Sequence, residues 1–538
     1  MLACRQLSGR TDSRMPTLRA VLRVSIATLV TARALGAQTP AVSRPSLVVL
    51  VTIDQFRGDY LERFAPQLTG GLARLTRGGA WFTDAHQDHA ITETAPGHAT
   101  LLSGRFPRST GIMMNEIGVQ DSSASLIAGG VGPGASPRRF NGSTLVDWLT
   151  AHDRRTRALS VSMKDRAAIL PIGRTKADVY WYSPDGRFTT SRYYRDTLPD
   201  WVNAFNARGL PRRMAGRTWS LLLADSAYHE RDSVSIEGAG KDFTFPHRLP
   251  DDSVAAASLL RVSPFIDELT LALALHGLQA LSLGRGPQPD VLAISLSGTD
   301  VIGHRFGPDS REIHDQVLRV DRMLGAFLDS LYRLRDSASV VVVLAADHGI
   351  GTIPELASTT DPMPARVQLG DVVDSLRASL KADRLDPRVL DIEPPVVLAD
   401  RDALRRAHVS VDSALDSLAA VLRRQPGIAR VDAFRALLAD TLRDPIARRW
   451  SHQFPANARI ELVITLTPLS TWGGNVASHG SPYDYDSHVP LVFYGAGIVP
   501  GRHGEFVRLV DLAPTLASLL GVQPTEPIDG VPLRAALH

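Results

Sequence analysis

The sequence predicts an α/β fold: a central, mostly parallel sheet flanked by helices, with inserted subdomains. Three observations predict it. Apolar, β-branched runs recur along the chain with helical spacing between them. These runs are continuous rather than alternating, as expected of strands buried on both faces. Several end in acidic, basic or histidine side chains, and open α/β sheets bind ligands at the carboxyl ends of their strands. A length of 538 residues suits one large domain with insertions, or two or three smaller ones.

The formal charge of +3 carries no nucleic-acid signal. Residues 1–37 hold six arginines and a single acid, Asp12; without them, 53 basic side chains face 55 acidic ones. That leader reads as a secretory signal. Arg19 and Arg23 precede the short apolar run Val24–Val30, and small residues end at Leu35-Gly36-Ala37. The expected location is therefore periplasmic or secreted, with 38–538 as the mature chain. No later stretch approaches the ~20 apolar residues of a membrane span. The one cysteine, Cys4, lies in the leader. Disulfides and thiolate ligands are thus excluded from the mature chain, and a bound metal must be held by Asp, Glu and His.

Along the chain, Leu47–Ile53 is a buried strand that delivers Asp54. Thr92-Glu93-Thr94-Ala95-Pro96-Gly97-His98 follows. Proline favours a helix's first turn, so Thr94 or Ala95 stands at a helix N-terminus, where free N–H groups and the dipole suit a phosphoryl group. Asn115, after Gly111-Ile112-Met113-Met114, can donate an amide hydrogen to a phosphate oxygen. Arg157–Met163 is a strand leading to Lys164-Asp165-Arg166. In an extended segment Lys164 and Arg166 share a face and can grip one oxyanion. Tyr180-Trp181-Tyr182, Tyr193-Tyr194 and Trp201 suit either a stacked core or a cleft wall.

Asp290–Leu296 is the next strand. Asp300 and His304 follow it four residues apart, on one face if the segment turns helical. Arg311–Tyr332 has helical spacing. Ser339–Ala346, the most strand-like run, ends in Asp347-His348-Gly349, a metal-ligand pattern. The loop Ser478–His488 offers His479 or His488 as a further ligand, before the strand Val489–Tyr494. Val510–Leu520 is an amphipathic helix with no expected chemistry. Two stretches read as insertions: about 116–285, carrying Lys164 and Arg166, and about 360–470, rich in Asp, Arg, Ala and Leu.

Together, Asp54, Thr94, Lys164/Arg166, Asp300/His304, Asp347/His348 and His479 resemble the alkaline phosphatase superfamily from Asp54 to the last helix. The Thr-Ala-Pro-Gly-His, Asp-His-Gly and His-Gly-Ser-Pro motifs resemble its type I phosphodiesterase/nucleotide pyrophosphatase branch. Lys164-Asp165-Arg166 resembles the phosphate-irrepressible, PafA-type alkaline phosphatases. The resemblance implies an alkaline-phosphatase-like fold and two Zn2+ ions. Asp54, Asp347 and His348 would hold one, with Thr94 at its open position; Asp300, His304 and His479 would hold the other. It implies Thr94 as nucleophile, forming a phosphothreonine. Asn115, Lys164 and Arg166 would hold the nonbridging oxygens of a small-molecule phosphate monoester. The family pattern favours the histidine of His-Gly, His479, over His488, and His98 reads as structural. A phosphodiesterase with the same metals is the nearest rival. A sulfatase fits worse, because no cysteine remains in the mature chain. A noncatalytic phosphate- or metal-binding protein is the remote alternative, since every expected position is filled. Oligomeric state has no signature in the sequence.

Overall fold

The computed structural model describes residues 44–127, 129–357 and 363–538. The secretory leader read at 1–37 lies outside the described residues. Nine strands build the central sheet: β1 (Leu47–Ile53), β2 (Ala80–His86), β3 (Ala158–Ser162), β4 (Asp178–Ser183), β5 (Arg187–Thr189), β6 (Asp290–Leu296), β7 (Val340–Ala345), β8 (Leu491–Gly495) and β9 (Gly501–Arg508). Their order is β9-β2-β8-β7-β1-β6-β3-β4-β5. The middle of the sheet, β7-β1-β6-β3-β4, is parallel throughout. β8 runs antiparallel between β7 and β2, and β5 antiparallel to β4, so the whole sheet is mixed.

β1, β6 and β7 are buried along their full length. Helices cover both faces, so these strands need no polar alternation. Their register sets the site. Thr52 pairs with Ser295 on one side and Ala345 on the other, and Ser295 pairs with Ser162. Two residues further along each strand stand Asp54, Asp347 and Lys164, at one level of the sheet's carboxyl edge.

Five helices matter to the site and its support: α1 (Thr94–Leu101), α2 (Asp165–Ile169), α3 (Gly298–Phe306), α4 (Arg311–Leu334) and α5 (Leu512–Leu520). α4 is amphipathic, burying Ile313, Val317, Val320, Leu324 and Phe327. The stretch 116–285 supplies β3, β4 and β5 to the central sheet itself. The stretch 363–470 carries a second, antiparallel sheet in the order Leu390–Glu393, Val396–Ala399, Ile460–Leu466, Ile428–Ala433. Val396, Phe434, Trp450 and Val463 of that segment pack on Ala90 and Ile91, just ahead of α1. Among the described residues no helix is long and apolar enough to cross a membrane.

Candidate active site

Asp54 leaves β1 fully buried. Next to it, Gln55 adopts φ +64°, a conformation uncommon outside glycine. The turn aims both its donors inward. The Gln55 backbone N–H donates to Asp347 Oδ1 at 3.1 Å, and its Nε2 donates to Asp300 Oδ1 at 2.9 Å. A side chain at Gly303 would collide with Gln55 Oε1, so the glycine on α3 makes room for this link.

Thr94 is the first residue of α1, with Glu93 as N-cap. Its Oγ1 lies 3.4 Å from His348 Nε2 and 3.3 Å from Lys164 Nζ. The glycine of the Thr-Ala-Pro-Gly-His motif has a steric reason: a Cβ on Gly97 would overlap the Asp347 carbonyl. His98 ties α1 to the sheet. Its Nδ1 lies 2.9 Å from the Thr94 carbonyl and 3.0 Å from Asp347 Oδ2, and its Nε2 lies 2.9 Å from Ser295 Oγ. Asn115 Oδ1 accepts the Ala95 N–H at 2.9 Å, and the Asn115 N–H donates to Glu93 Oε2 at 2.7 Å. With its oxygen so engaged, the amide has only its NH2 left to offer a ligand. Glu93 itself is pushed up to about 7 by burial.

Asp300 and His304 do lie on one helical face, with Asp300 Oδ1 3.5 Å from His304 Nε2. His304 Nδ1 faces the Ala477 carbonyl at 2.9 Å. His348 Nε2 is 3.6 Å from both Asp54 Oδ1 and Asp347 Oδ2. His479 stacks on His348 with ring centroids 3.7 Å apart, and its Nε2 is 3.9 Å from Asp300 Oδ1. His488 is elsewhere: its Nε2 meets the Thr83 carbonyl at 2.8 Å and its ring stacks on His86.

Two groups of side chains bring their ligand atoms within 4.8 Å of one another: Asp300, His304, His479; and Asp54, Asp300, His348. Asp300 belongs to both. The donors are carboxylate and imidazole, the set that zinc accepts. Asp54 Oδ1 is buried without a hydrogen-bond partner, as an oxygen awaiting a cation would be. The residues therefore fit a bound metal.

Lys164 and Arg166 depart from the extended segment expected of them. Lys164 is the extended N-cap of α2, and Arg166 lies in that helix's first turn. Asp165 opens the helix and pulls the two side chains out of simple alternation. Lys164 Nζ sits 2.7 Å from Asp54 Oδ2 and 2.6 Å from Asp300 Oδ2. Burial would lower Lys164, but these carboxylates hold its pKa above the ordinary value. Burial would raise Asp300, yet Lys164 and the neighbouring histidines hold it well below the carboxylate range. Asp54 goes the other way: burial and the Asp347 charge outweigh Lys164 and raise it. The Arg166 guanidinium is freer: among the described residues its nearest carboxylate oxygen, on Asp165, is 3.9 Å away. The aromatic cluster divides. Tyr180 packs edge-on against Trp201, while Trp181 and Tyr182 line a cavity of about 200 Å³ beside Lys164 and Arg166.

The family model for type I phosphodiesterase/nucleotide pyrophosphatase matches residues 48–429. The chain is 31% identical to alkaline phosphatase PafA of Elizabethkingia meningoseptica, over 95% of this chain and 98% of that one. It is also 31% identical to alkaline phosphatase PhoV of Synechococcus elongatus, over 90% of this chain and 91% of that one. A crystal structure of wild-type PafA matches with a TM-score of 0.83 at 30% identity, covering 93% of this chain and 100% of that one. On this footing the chain belongs to the type I phosphodiesterase/nucleotide pyrophosphatase family and stands with the PafA-type alkaline phosphatases.

Proposed function

We propose that the protein is a secreted, zinc-dependent alkaline phosphatase that hydrolyses small phosphate monoesters through a phosphothreonine on Thr94. One observation carries the reading: a buried threonine hydroxyl at a helix N-terminus, flanked by His348 and Lys164 and by two groups of sulfur-free ligands. By the family resemblance Asp54, Asp347 and His348 would hold one zinc and Asp300, His304 and His479 the other; in the structure Asp300 also closes on Asp54 and His348, while Asp347 Oδ2 turns to His98 Nδ1 at 3.0 Å and stays 3.6 Å from His348 Nε2. Two zinc ions so held would supply Lewis-acid activation of the attacking and leaving oxygens.

The chain's own groups do the rest. Thr94 Oγ attacks phosphorus in line, and the alcohol leaves opposite it. Water then attacks the phosphothreonine from the vacated side, releasing phosphate and restoring the hydroxyl. The positive end of the α1 dipole faces the phosphoryl group at Thr94. Asn115 donates its remaining amide hydrogens to a nonbridging oxygen. Lys164 and Arg166 add positive charge where a dianion carries most negative charge, favouring monoesters over diesters. Membership of a phosphodiesterase family keeps diester hydrolysis as the second reading.

The experiment is chelation and reconstitution on p-nitrophenyl phosphate. Exhaustive chelation should abolish turnover, and added zinc should restore it. Full activity in protein with no detectable metal would overturn the proposal.

A further inference from the structure

The stretch 363–470 approaches the catalytic site through the helix Pro445–Gln453. That helix grips the segment ahead of Thr94. Arg448 donates to both carboxylate oxygens of Asp88 at 3.0 Å, and His452 Nδ1 lies 2.6 Å from the Asp88 carbonyl oxygen. Trp450 and Phe454 share a core with Ala90 and Ile91, and Met113 and Met114 pack against it.

Gln453 ends the helix at 0% exposure. Its Oε1 accepts the Ile91 N–H at 2.8 Å, and its Nε2 donates to the Met113 carbonyl at 2.5 Å. The partners fix the orientation of the amide, because an N–H only donates and a carbonyl only accepts. Ile91 stands three residues before Thr94, and Met113 two before Asn115. One buried side chain therefore ties the backbone leading to the nucleophile to the backbone leading to the amide. The two ends of the tie are unequal. α1 is already anchored to the sheet through His98 and Ser295. The described residues 111–119 form neither helix nor strand, so no ladder of backbone bonds holds Asn115. Glu93 and the Ala95 N–H hold Asn115 itself, and Gln453 holds the chain just before it.

We infer that Gln453 is a positioning residue for Asn115: it pins the irregular chain before Asn115 to the segment before α1, so that the free NH2 of Asn115 stays aimed at the phosphoryl group on Thr94. The inference rests on the reading of Asn115 as a group that holds a nonbridging oxygen. Gln453 acts through the backbone alone, since its own amide is spent on Ile91 and Met113. A donor aimed at the transition state works only while it is held in place, and a misplacement of about 1 Å can cost on the order of 10²-fold in rate. By this tie the stretch 363–470 contributes to catalysis without contributing a group that touches substrate.

The test is a double-mutant cycle on the full-length, zinc-loaded protein, read as kcat/KM for phenyl phosphate in wild type, Gln453→Leu, Asn115→Ala and the double variant. Gln453→Leu removes both hydrogen bonds at similar volume. It should lower kcat/KM about tenfold in wild type and by less than about twofold once Asn115 is alanine, because residues that act as a unit are not additive. Zinc content should stay unchanged in all four proteins. Gln453→Asn, too short to span both partners, replaces the leucine variant if that one does not fold. An equal loss in both backgrounds, or a loss of zinc, overturns the inference and assigns Gln453 to the fold or the metals. Full activity in the Gln453 variant beside an impaired Asn115→Ala overturns the inference alone and leaves the phosphatase reading standing. Full activity in Asn115→Ala overturns the role of Asn115, and this inference with it.

Discussion

Replacing Arg166 by alanine is the cleanest perturbation of the substrate preference. Among the described residues its guanidinium has no carboxylate closer than 3.9 Å, which leaves its charge for a ligand. Lys164 differs: it spans Asp54 and Asp300 at 2.7 and 2.6 Å, and deleting it alone unpairs two buried acids. A charge-assisted hydrogen bond is worth roughly 1.5–3 kcal/mol. At about 1.4 kcal/mol per decade, Arg166→Ala should lower monoester kcat/KM by about 10- to 150-fold. Removing both residues should cost on the order of 10²- to 10⁴-fold. A methyl diester carries one negative charge fewer and should lose far less. The assay is kcat/KM for phenyl phosphate and methyl phenyl phosphate, in wild type, Arg166→Ala and the double variant. Equal loss on both substrates would refute the reasoning, because the residues would then be supporting the metals or the fold.

Thr94→Ala should lose nearly all turnover and Thr94→Ser should keep a substantial part, with unfolding temperatures close to wild type; undiminished turnover in Thr94→Ala would assign the attack to another group. Gln55→Ala removes the donor to Asp300 and should weaken metal affinity about 10- to 100-fold, read by competition with a zinc chelator. Asp267 is fully buried, accepts the Gly298 N–H at the start of α3, and is raised by burial to about 7. A carboxyl raised on folding stabilises most below its unfolded pKa and loses that contribution as pH climbs through the folded one. Wild type should therefore lose up to about 4 kcal/mol of stability relative to Asp267→Asn between pH 4 and pH 8, measured by denaturant unfolding.

The sheet was legible because β1, β6 and β7 are buried on both faces, which leaves nothing but apolar residues until the chain reaches the edge. The acids and histidines at those edges were legible for the same reason: the register brings Asp54 and Asp347 level. Gln55 was not legible. Its chemistry resembles any loop glutamine, and only its positive φ turns both donors into the site. His479 and His488 share one loop, and no local pattern separates them; the fold stacks the first on His348 and hands the second to Thr83. The five-residue α2 is too short to show a period, so Lys164 and Arg166 read as extended when one caps a helix and the other lies in it.

The central claim is attack by Thr94, and the stereochemical course at phosphorus tests it most directly. An aryl phosphate made chiral with oxygen isotopes is turned over in the presence of an acceptor alcohol, and the configuration of the new ester is read. Two in-line displacements, onto Thr94 and off it, predict retention. Inversion would mean a single direct displacement, with no phosphothreonine on the path.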